Sequence, residues 1–257
     1  MNAVDIKESV QRQFGSVAAN YTASPVHRGG PDLDAMLAAA APRGIERVLD
    51  AGCGTGHTAL AFAPLVAEVV AVDMTEPMLD QGRRLAAERG LTNIAFQNGD
   101  VEQLPFPDAS FDIVVSRYSA HHYPHPHVAV REFARVLRPG GVFLLVDVVA
   151  PDDPTQDTFL NAIELLRDPS HVRDHSVAQW LVMLEAAGLA GALLEIWALR
   201  LEFDSWVARM RTPLAAVAQL KALFDGAPRE VRTAMALAGQ DDYSFSIPVA
   251  LLRGVRG

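Results

Sequence analysis

The chain has 257 residues, of which 50% are hydrophobic and 21% are charged, and its formal net charge is −9. This composition is typical of a soluble globular protein with a core large enough for one domain, with or without an insertion. No apolar run reaches the roughly 18 residues of a membrane helix, and no basic cluster predicts a nucleic-acid partner. Cys53 is the single cysteine, which excludes an internal disulfide, and residues 1–8 lack a signal-peptide pattern, so we expect a cytoplasmic protein.

The first 150 residues divide into an N-terminal segment and an alternating α/β region. Residues 1–30 predict an irregular or partly helical segment, and an apolar stripe predicts a helix over 32–40. From residue 46 to about 149, Val/Ile/Leu-rich runs alternate with helical patterns. That alternation predicts βαβ units and a parallel sheet whose strands are covered on both faces.

Beyond Pro151 the pattern becomes mainly helical. Helices are predicted over 155–166, from Ser176 to Gly188 and over 204–238, with strands over 193–203 and 244–252. Pro248 inside the last run predicts a bulge or a late strand start. We expect one domain over 1–257, made of a lid and helix (1–42), a core (43–150), a helical insertion with one strand (151–240) and a last strand (241–257).

A glycine-rich turn follows the first predicted strand. It reads Asp50-Ala51-Gly52-Cys53-Gly54-Thr55-Gly56 and precedes the helical pattern that begins at His57. Such a turn lets the backbone bend sharply and admits a ligand where a Cβ would collide. Its glycines recur at every second position, unlike the G-x-G-x-x-G fingerprint or the P-loop. A tight turn with no ligand is the alternative.

Polar residues also follow the next predicted strands. Asp73 ends the second strand and lies 73 − 52 = 21 positions after Gly52. A carboxylate about 20 residues past the glycine turn is placed to accept hydrogen bonds from both ribose hydroxyls, although a solvated strand end is the alternative. Gly99-Asp100-Val101 follows the third strand, and Arg117 follows the fourth.

These motifs, in this order, resemble class I S-adenosylmethionine (SAM) methyltransferases. Within that class the chain resembles the UbiE-like branch (methyltransferase type 11, the ubiquinone/menaquinone C-methyltransferase group). The segments that carry this resemblance are His57-Thr58, Leu104-Pro-Phe-Pro, Ala120-His-His and Arg138-Pro-Gly-Gly. Tyr21-x-x-Ser24-x-x-His27 and Arg167-Asp-Pro-Ser-His171 extend the resemblance to YcgJ-like bacterial proteins of unassigned substrate. The resemblance implies an α/β, Rossmann-like fold with a seven-stranded, mostly parallel sheet, helices on both faces and a helical insertion before the last strand.

The same resemblance implies a SAM site. Asp50 would orient the amino group of the methionine part, directly or through water, and Asp73 would hold the ribose. Met74 would pack against the adenine, whose edge Asp100 and the Val101 amide would bind. The implied cofactor residues are Tyr21, Asp50, Gly52, Cys53, Gly54, Gly56, His57, Asp73, Met74, Met78, Gly99, Asp100, Val101 and Arg117. Plain packing is the alternative for Met74, Met78 and Cys53.

A histidine-rich stretch follows the fourth predicted strand, and it contains His121, His122, His125 and His127. Spaced imidazoles suggest a metal, but two prolines stiffen the segment so that the imidazoles need not converge, and we expect no metal site. His125 and His127 are expected in a solvated loop. His121 and His122 are candidates to act as base or to position the acceptor, the alternative being structural histidines bonded to backbone.

The substrate candidates are Phe14, His27, Arg167 and His171. In the resembled fold the N-terminal segment lies over the cofactor. Phe14 and Tyr21 are therefore lid candidates, and His27 is expected to face either the cofactor or the acceptor. Arg167 and His171 belong to a short polar cluster with Asp168 and Arg173. That cluster predicts either a solvated loop held by Arg–Asp pairs or a group that orients a substrate.

The sequence therefore predicts methyl transfer from SAM to a small molecule at carbon, oxygen or nitrogen, with S-adenosylhomocysteine as product. A protein that binds SAM or its product without catalysis is one alternative. A nicotinamide-dependent oxidoreductase is another, which the glycine spacing disfavours. We expect a small-molecule partner and no nucleic acid, and a homodimer is compatible with the sequence.

Overall fold

The computed structural model describes residues 5–23, 28–239 and 241–257. The helices are α1 (Ile6–Ala23), α2 (Pro31–Ala40), α3 (His57–Phe62), α4 (Glu76–Glu88), α5 (Pro126–Val136), α6 (Pro154–Arg167), α7 (Val177–Ala186), α8 (Phe203–Met210), α9 (Leu214–Asp225) and α10 (Arg229–Ala234). The strands are β1 (Arg47–Ala51), β2 (Glu68–Asp73), β3 (Ile94–Asn98), β4 (Phe111–Arg117), β5 (Leu137–Val148), β6 (Leu189–Leu201) and β7 (Phe245–Arg256). Within these ranges, no helix is both long and apolar enough to cross a membrane.

In the described part of the chain, seven strands form one sheet in the order β3-β2-β1-β4-β5-β7-β6. Strands β1 to β5 pair in parallel, and β7 runs antiparallel between β5 and β6. The predicted Rossmann-like α/β fold is confirmed. The strand order changes direction between β1 and β4, and the crevice at the carboxyl ends of strands beside such a point is where open α/β sheets bind ligands.

Both faces of the central strands are covered, as their continuous apolar runs predict, whereas the edge strand β6 is mostly exposed. Val48 and Leu49 are adjacent in β1, and both side chains are fully buried. Because side chains alternate along a strand, they enter two different core clusters, one on each face. Burial of one such side chain stabilises the fold by about 1.5–3 kcal/mol, so the central strands anchor the loops that follow them.

Predicted strand boundaries differ from the structure in β5, in β6 and in β7, the last of which ends at Arg256 rather than at residue 252. The sequence predicts the fifth strand over Val142–Asp147, but β5 begins at Leu137, five residues earlier, because Leu137 already pairs with Phe111 of β4. Strand β6 runs over Leu189–Leu201 rather than 193–203, and Phe203 instead begins α8. Pairing with β7 extends β6 through Gly191, which weakens the strand pattern in the sequence.

The expectation of a bulge or late start at Pro248 was wrong. Strand β7 begins at Phe245, and its register against β6 runs without interruption through Pro248. The Pro248 carbonyl accepts a hydrogen bond from the Val149 N–H at 3.0 Å, so the polar backbone groups of Pro248 face the side of β5 just beyond the paired end of that strand. No β5–β7 ladder bond needs the N–H that proline lacks there.

The predicted helical insertion is divided in two by strand β6. Helices α8, α9 and α10 lie between β6 and β7, while α6 and α7 lie between β5 and β6. Helix α7 begins at the predicted Ser176 cap, whose hydroxyl accepts from the Gln179 N–H while the Gln179 side chain accepts from the Ser176 N–H. This reciprocal capping box marks the end of the loop over residues 168–175, in which the Val172 N–H donates to the His121 carbonyl.

Candidate functional site

A cavity lies at the carboxyl ends of β1, β2 and β4, at the expected crevice of the sheet. It encloses about 920 Å³ of empty space, part of it open to solvent, within the range of small-molecule pockets. Most of the predicted cofactor residues line it, namely Gly52, Cys53, Gly54, His57, Asp73, Met74, Met78, Gly99, Asp100, Val101 and Arg117, together with Phe14 and His122. The fold thus brings the separated motifs to one place.

Gly52 lets the loop after β1 lie close to the turn after β4. Its φ of +71° is in the left-handed region, and a Cβ here would lie 2.5 Å from the Ser119 Oγ and 2.8 Å from the Tyr123 hydroxyl. The N–H groups of Gly52 and Cys53 both donate to the Val72 carbonyl at 2.9 Å. These contacts hold the loop against β2 at the cavity wall.

Two predicted cofactor residues do not line the cavity. A Cβ on Gly56 would lie 2.6 Å from the Phe96 ring, so this glycine permits the packing of α3 against β3. Asp50 is 1% exposed, and its Oδ2 accepts from the Ala59 N–H at 2.9 Å. Burial raises the pKa of Asp50 to about 7, although the Ala59 amide and the Arg117 charge oppose the rise.

Asp73 is held at the cavity by backbone amides. Its Oδ2 accepts from the Gly54 N–H and its Oδ1 from the Thr75 N–H, both at 2.8 Å. Burial raises the pKa of Asp73, and these two amides oppose the rise. A carboxylate oxygen has two lone-pair sites, so each oxygen of Asp73 can accept another hydrogen bond from a ligand.

Lys7 contacts Asp100, which is expected to bind adenine, and the nearby Glu102. Its Nζ lies 2.7 Å from the Asp100 Oδ2 and 2.6 Å from the Glu102 Oε2, and Lys7 lines the cavity. These ion pairs tie α1 to the loop after β3. The sequence offers no signal that separates Lys7 from any other lysine on an amphipathic helix.

Arg117 lines the cavity and pairs with Asp32 of α2, with 2.5 Å between its Nε and the Asp32 Oδ2. The side chains are only 3% and 7% exposed. A buried guanidinium requires such a partner, so the pair links α2 to the end of β4. In the sequence, Asp32 is notable only as an acidic residue at the start of a predicted helix.

His121 forms a tight pair with a carboxylate at the end of β5. Its Nδ1 lies 2.6 Å from the Asp147 Oδ1, while the Asp147 Oδ2 accepts from the Ala120 N–H at 2.8 Å. Burial disfavours a charged imidazole, but the charge of Asp147 and this hydrogen bond outweigh burial and raise the pKa of His121 to about 9. His121 is therefore positively charged at neutral pH.

His122 is held differently and lines the cofactor cavity. Its Nδ1 lies 3.0 Å from the Ser170 carbonyl oxygen, which assigns the proton to Nδ1 and a lone pair to Nε2. Burial and the neighbouring charge of His121 lower the pKa of His122 to about 4. The two imidazole centroids are 4.2 Å apart, so one neutral and one charged ring lie side by side.

Of the two alternatives for the Arg167–His171 cluster, the solvated loop was wrong. Arg167, Asp168 and His171 are all buried. Arg167 pairs with Glu164 at 3.4 Å rather than with Asp168, and its Nε donates to the Trp206 carbonyl. His171 lies beside the histidine pair, 5.8 Å from the His121 centroid, and lines neither this cavity nor the one that contains Arg167.

Of the three N-terminal candidates, the structure describes the side chain of Phe14 alone. Phe14 lines the cavity and packs edge-on against His122 with centroids 4.8 Å apart. Tyr21 lies within α1, but its side chain falls outside the described residues, and so does the whole of His27. The expected exposure of His125 and His127 is observed, with His125 bonded to Glu102.

Residues 49–145 match the family model described as "Methyltransferase domain". The uncharacterized methyltransferase YcgJ of Bacillus subtilis strain 168 is 42% identical over 247 residues, which cover 95% of this chain and 97% of YcgJ. This chain belongs to the methyltransferase family. A crystal structure of YcgJ has a TM-score of 0.86 at 43% identity, covering 88% of this chain and 97% of the other. The ubiquinone/menaquinone biosynthesis C-methyltransferase UbiE of Ectopseudomonas mendocina is 35% identical over 157 residues, 57% of this chain and 60% of UbiE.

In this member of the methyltransferase family, three residues join the site without being indicated by the sequence motifs, namely Asp147, Lys7 and Asp32. A signal existed for Asp147, because it ends the fifth predicted strand at the same edge of the sheet as Asp73. Among the described residues, no group of three or more His, Cys, Asp or Glu side chains is arranged to hold a metal ion. The histidines instead pair with carboxylates, backbone and one another.

Proposed function

We propose that this protein transfers the methyl group of SAM to a small acceptor at carbon, oxygen or nitrogen. The observation that carries the proposal is the meeting of the Gly52–Gly54 loop and the Asp73 carboxylate at one cavity beside the β1–β4 crevice. Membership of the methyltransferase family supports the reaction class. The name of UbiE, a C-methyltransferase, supports carbon as one of the acceptor atoms.

The residues at the cavity fit SAM part by part. Asp73 has acceptor sites for the ribose hydroxyls, and such donors would offset the burial that raises its pKa. Met74 and Met78 offer polarisable thioether side chains to the adenine ring. Asp100 would bind the adenine amino group with an oxygen that it now shares with Lys7.

Asp50 fits a more indirect role at the positive amino group of the cofactor. Its buried carboxylate has a raised pKa, and a nearby ammonium would favour its charged form. Because Asp50 lies behind the loop rather than in the cavity wall, its effect passes through a water molecule or through the N-terminus of α3.

When bound, SAM supplies an electrophilic methyl group on a positively charged sulfur, and an acceptor that attacks it from an N–H, O–H or C–H loses a proton. His122 is suited to take that proton. It lines the cavity, is neutral at pH 7, and has a lone pair on Nε2. His121, held by Asp147, would orient His122 and keep it neutral by charge repulsion.

The acidic net charge of −9 supports a small acceptor rather than a nucleic acid. Phe14 would exclude water from the reacting side of the cavity. Contact of Arg167 and His171 with the acceptor, a cytoplasmic location and a homodimer stay predictions.

The cofactor is tested by calorimetric titration with SAM, S-adenosylhomocysteine and NAD. We expect micromolar binding of the first two, weakened about 10–100-fold in Asp73→Ala because a charged hydrogen-bond acceptor is lost. Asp80→Ala, which removes an exposed carboxylate on α4, is the matched control and should bind normally. Binding of NAD instead, or of none of the three, would contradict the proposal.

The base is tested by screening acceptors for conversion of SAM to S-adenosylhomocysteine. His122→Gln should lose about 10²–10⁴-fold in turnover with unchanged SAM affinity, whereas His127→Gln, an exposed histidine on the same segment, should retain it. Full activity of His122→Gln would eliminate the base. SAM binding with no acceptor turned over by the wild type would favour a non-catalytic binding protein.

A further inference from the structure

A second cavity lies on the other side of the histidine pair. It contains about 500 Å³ of empty space, part of it open to solvent, between the end of β5, helices α6 and α8, and the ends of β6 and β7. Tyr118 lines both cavities, and His121 lines the second while His122 lines the first. The two spaces therefore share one wall at the place where proton transfer is proposed.

The second cavity contains an orphaned carboxylate. Asp174 lines it and is 1% exposed, yet among the described residues neither of its side-chain oxygens has a hydrogen-bond partner. Leaving a buried acceptor unpaired destabilises a fold by about 1–3 kcal/mol. Buried polar groups are otherwise almost always satisfied, so this residue needs an explanation beyond packing.

Asp174 is held in place by its backbone, not by its carboxylate. Its N–H donates to the Asn161 Oδ1 at 2.8 Å, and its carbonyl accepts from the Asn161 Nδ2 at 3.4 Å. The preceding residues, Val172 and Arg173, donate their N–H groups to the His121 carbonyl at 2.9 and 3.1 Å. The carboxylate is thus fixed relative to His121 while its own oxygens are left for a ligand.

The remaining lining limits what that ligand can be. Arg167, Arg209 and the charged His121 line the cavity together with the carboxyl groups of Glu164 and Asp174. Arg167 is already paired with Glu164 and His121 with Asp147, and burial raises the pKa of Asp174 well above its usual value, so these groups offer a charged ligand no uncompensated counter-charge, which favours a neutral ligand. The rest of the wall is apolar, made of Val148, Leu199, Leu201, Trp206 and Ile247.

We propose that the second cavity holds the part of the acceptor that is not methylated, and that this part is neutral, with an apolar body and one hydroxyl or un-ionised N–H group that donates a hydrogen bond to Asp174. The proposal rests on the proposed function, because it names the acceptor class for that reaction. Tyr118 lies in the wall that the two cavities share, and its φ of +51° is unusual for a bulky residue, as is typical of strained backbone at functional sites.

Matched probes test the ligand class in protein saturated with S-adenosylhomocysteine. The probes are 4-methylphenol, 4-methylaniline, 4-methylbenzoate, 4-methylbenzylammonium and toluene, and binding is measured by ligand-observed NMR titration. We expect the phenol or the aniline to bind more tightly than the charged probes and toluene. Tightest binding by either charged probe, equal binding of toluene, or no binding by any probe would overturn the proposal, the last because the cavity would then hold water only.

Variants at Asp174 test the residue. Asp174→Ala should weaken the neutral donor probe about 10-fold or more, and Asp174→Asn, which keeps an acceptor oxygen, should recover part of that loss. Asp152→Asn, on an exposed carboxylate, should change nothing. The melting temperature of Asp174→Asn should stay equal or rise by about 2–4 °C, because a neutral amide costs less to bury than an ionisable carboxyl group.

The two proposals fail in different ways in this experiment. Asp174 does not line the first cavity, so Asp174→Ala should bind S-adenosylhomocysteine as the wild type does. Failure of the wild type to bind that product counts against the proposed function. Unchanged probe affinity in Asp174→Ala, or unfolding of Asp174→Asn, overturns the acceptor site, the latter because the carboxylate would then be structural.

Discussion

Replacing Gly52 by alanine tests whether the close approach of the glycine loop is needed for folding and binding. A non-glycine residue in the left-handed region costs about 1–2 kcal/mol. The new Cβ would also lie 2.5 Å from the Ser119 Oγ and 2.8 Å from the Tyr123 hydroxyl, and forced overpacking costs about 1–3 kcal/mol. We therefore expect Gly52→Ala to lower the free energy of unfolding by about 2–5 kcal/mol.

The steric part of this expected loss of stability is large because the side chains of Ser119 and Tyr123 cannot move freely. The hydroxyls of Ser119 and Tyr123 are 2.9 Å apart, each lies 3.0 Å from the Ser116 Oγ, and the Tyr123 hydroxyl donates to the Ala51 carbonyl. Displacing them would break this buried network. The same shift would narrow the cavity wall, so SAM affinity should fall with stability.

Gly140→Ala is the matched control. Its φ of +77° resembles that of Gly52, but a Cβ there would meet nothing within 4 Å. Urea unfolding should therefore show a loss of about 1–2 kcal/mol for Gly140→Ala, from the backbone alone. Equal losses in the free energy of unfolding in the two variants would refute the steric argument. Normal SAM binding by Gly52→Ala would refute the role of Gly52 in shaping the cofactor cavity.

Three further outcomes are expected. Asp32→Ala should lower the free energy of unfolding by about 3–5 kcal/mol because it leaves the Arg117 charge buried without its carboxylate, whereas Glu68→Ala, in an exposed pair, should lower it by less than about 1 kcal/mol; equal losses in urea titrations would contradict this. Because the pKa of His121 is raised from 6.5 to about 9, the charged imidazole stabilises the fold fully below pH 6.5, and this contribution is lost as the pH rises through 9. The difference in the free energy of unfolding between wild type and His121→Gln should therefore shrink between pH 6.5 and 9. A constant difference would argue against a charged His121. Ser176→Ala should lower the free energy of unfolding by about 1 kcal/mol through loss of the helix cap, with no effect on SAM binding; unchanged stability would show that the capping box is dispensable.

The order of elements could be predicted because it depends on local patterns. Continuous apolar runs such as the one ending at Asp73 are typical of strands covered on both faces, and the glycine turn marks the first strand-to-helix connection. The errors came where pairing with a neighbour overrode local preference. Pro248 looks like an interruption in the sequence, yet it lies where no β5–β7 ladder bond needs its N–H.

The cofactor side was predictable in the same way. Gly52, Asp73, Asp100 and Arg117 each follow a strand, and parallel strands bring their carboxyl ends to one edge. Gly56 and Asp50 were assigned to the cavity from the same motif. In the structure Gly56 packs against Phe96, and Asp50 accepts a hydrogen bond from the Ala59 amide. Both contacts depend on the orientation of α3 against the sheet, which the spacing of the motif does not determine.

The sequence by itself thus determined the α/β architecture, the family and the strand-end residues around the first cavity, because these follow from short-range periodicity and from the common direction of parallel strands. Only the tertiary structure decided which histidine is charged, since that depends on Asp147, 26 residues away, bonding to His121 rather than to His122. It also decided that Asp174 is buried without a partner beside them, because burial and hydrogen-bond satisfaction are properties of surroundings assembled from distant parts of the chain.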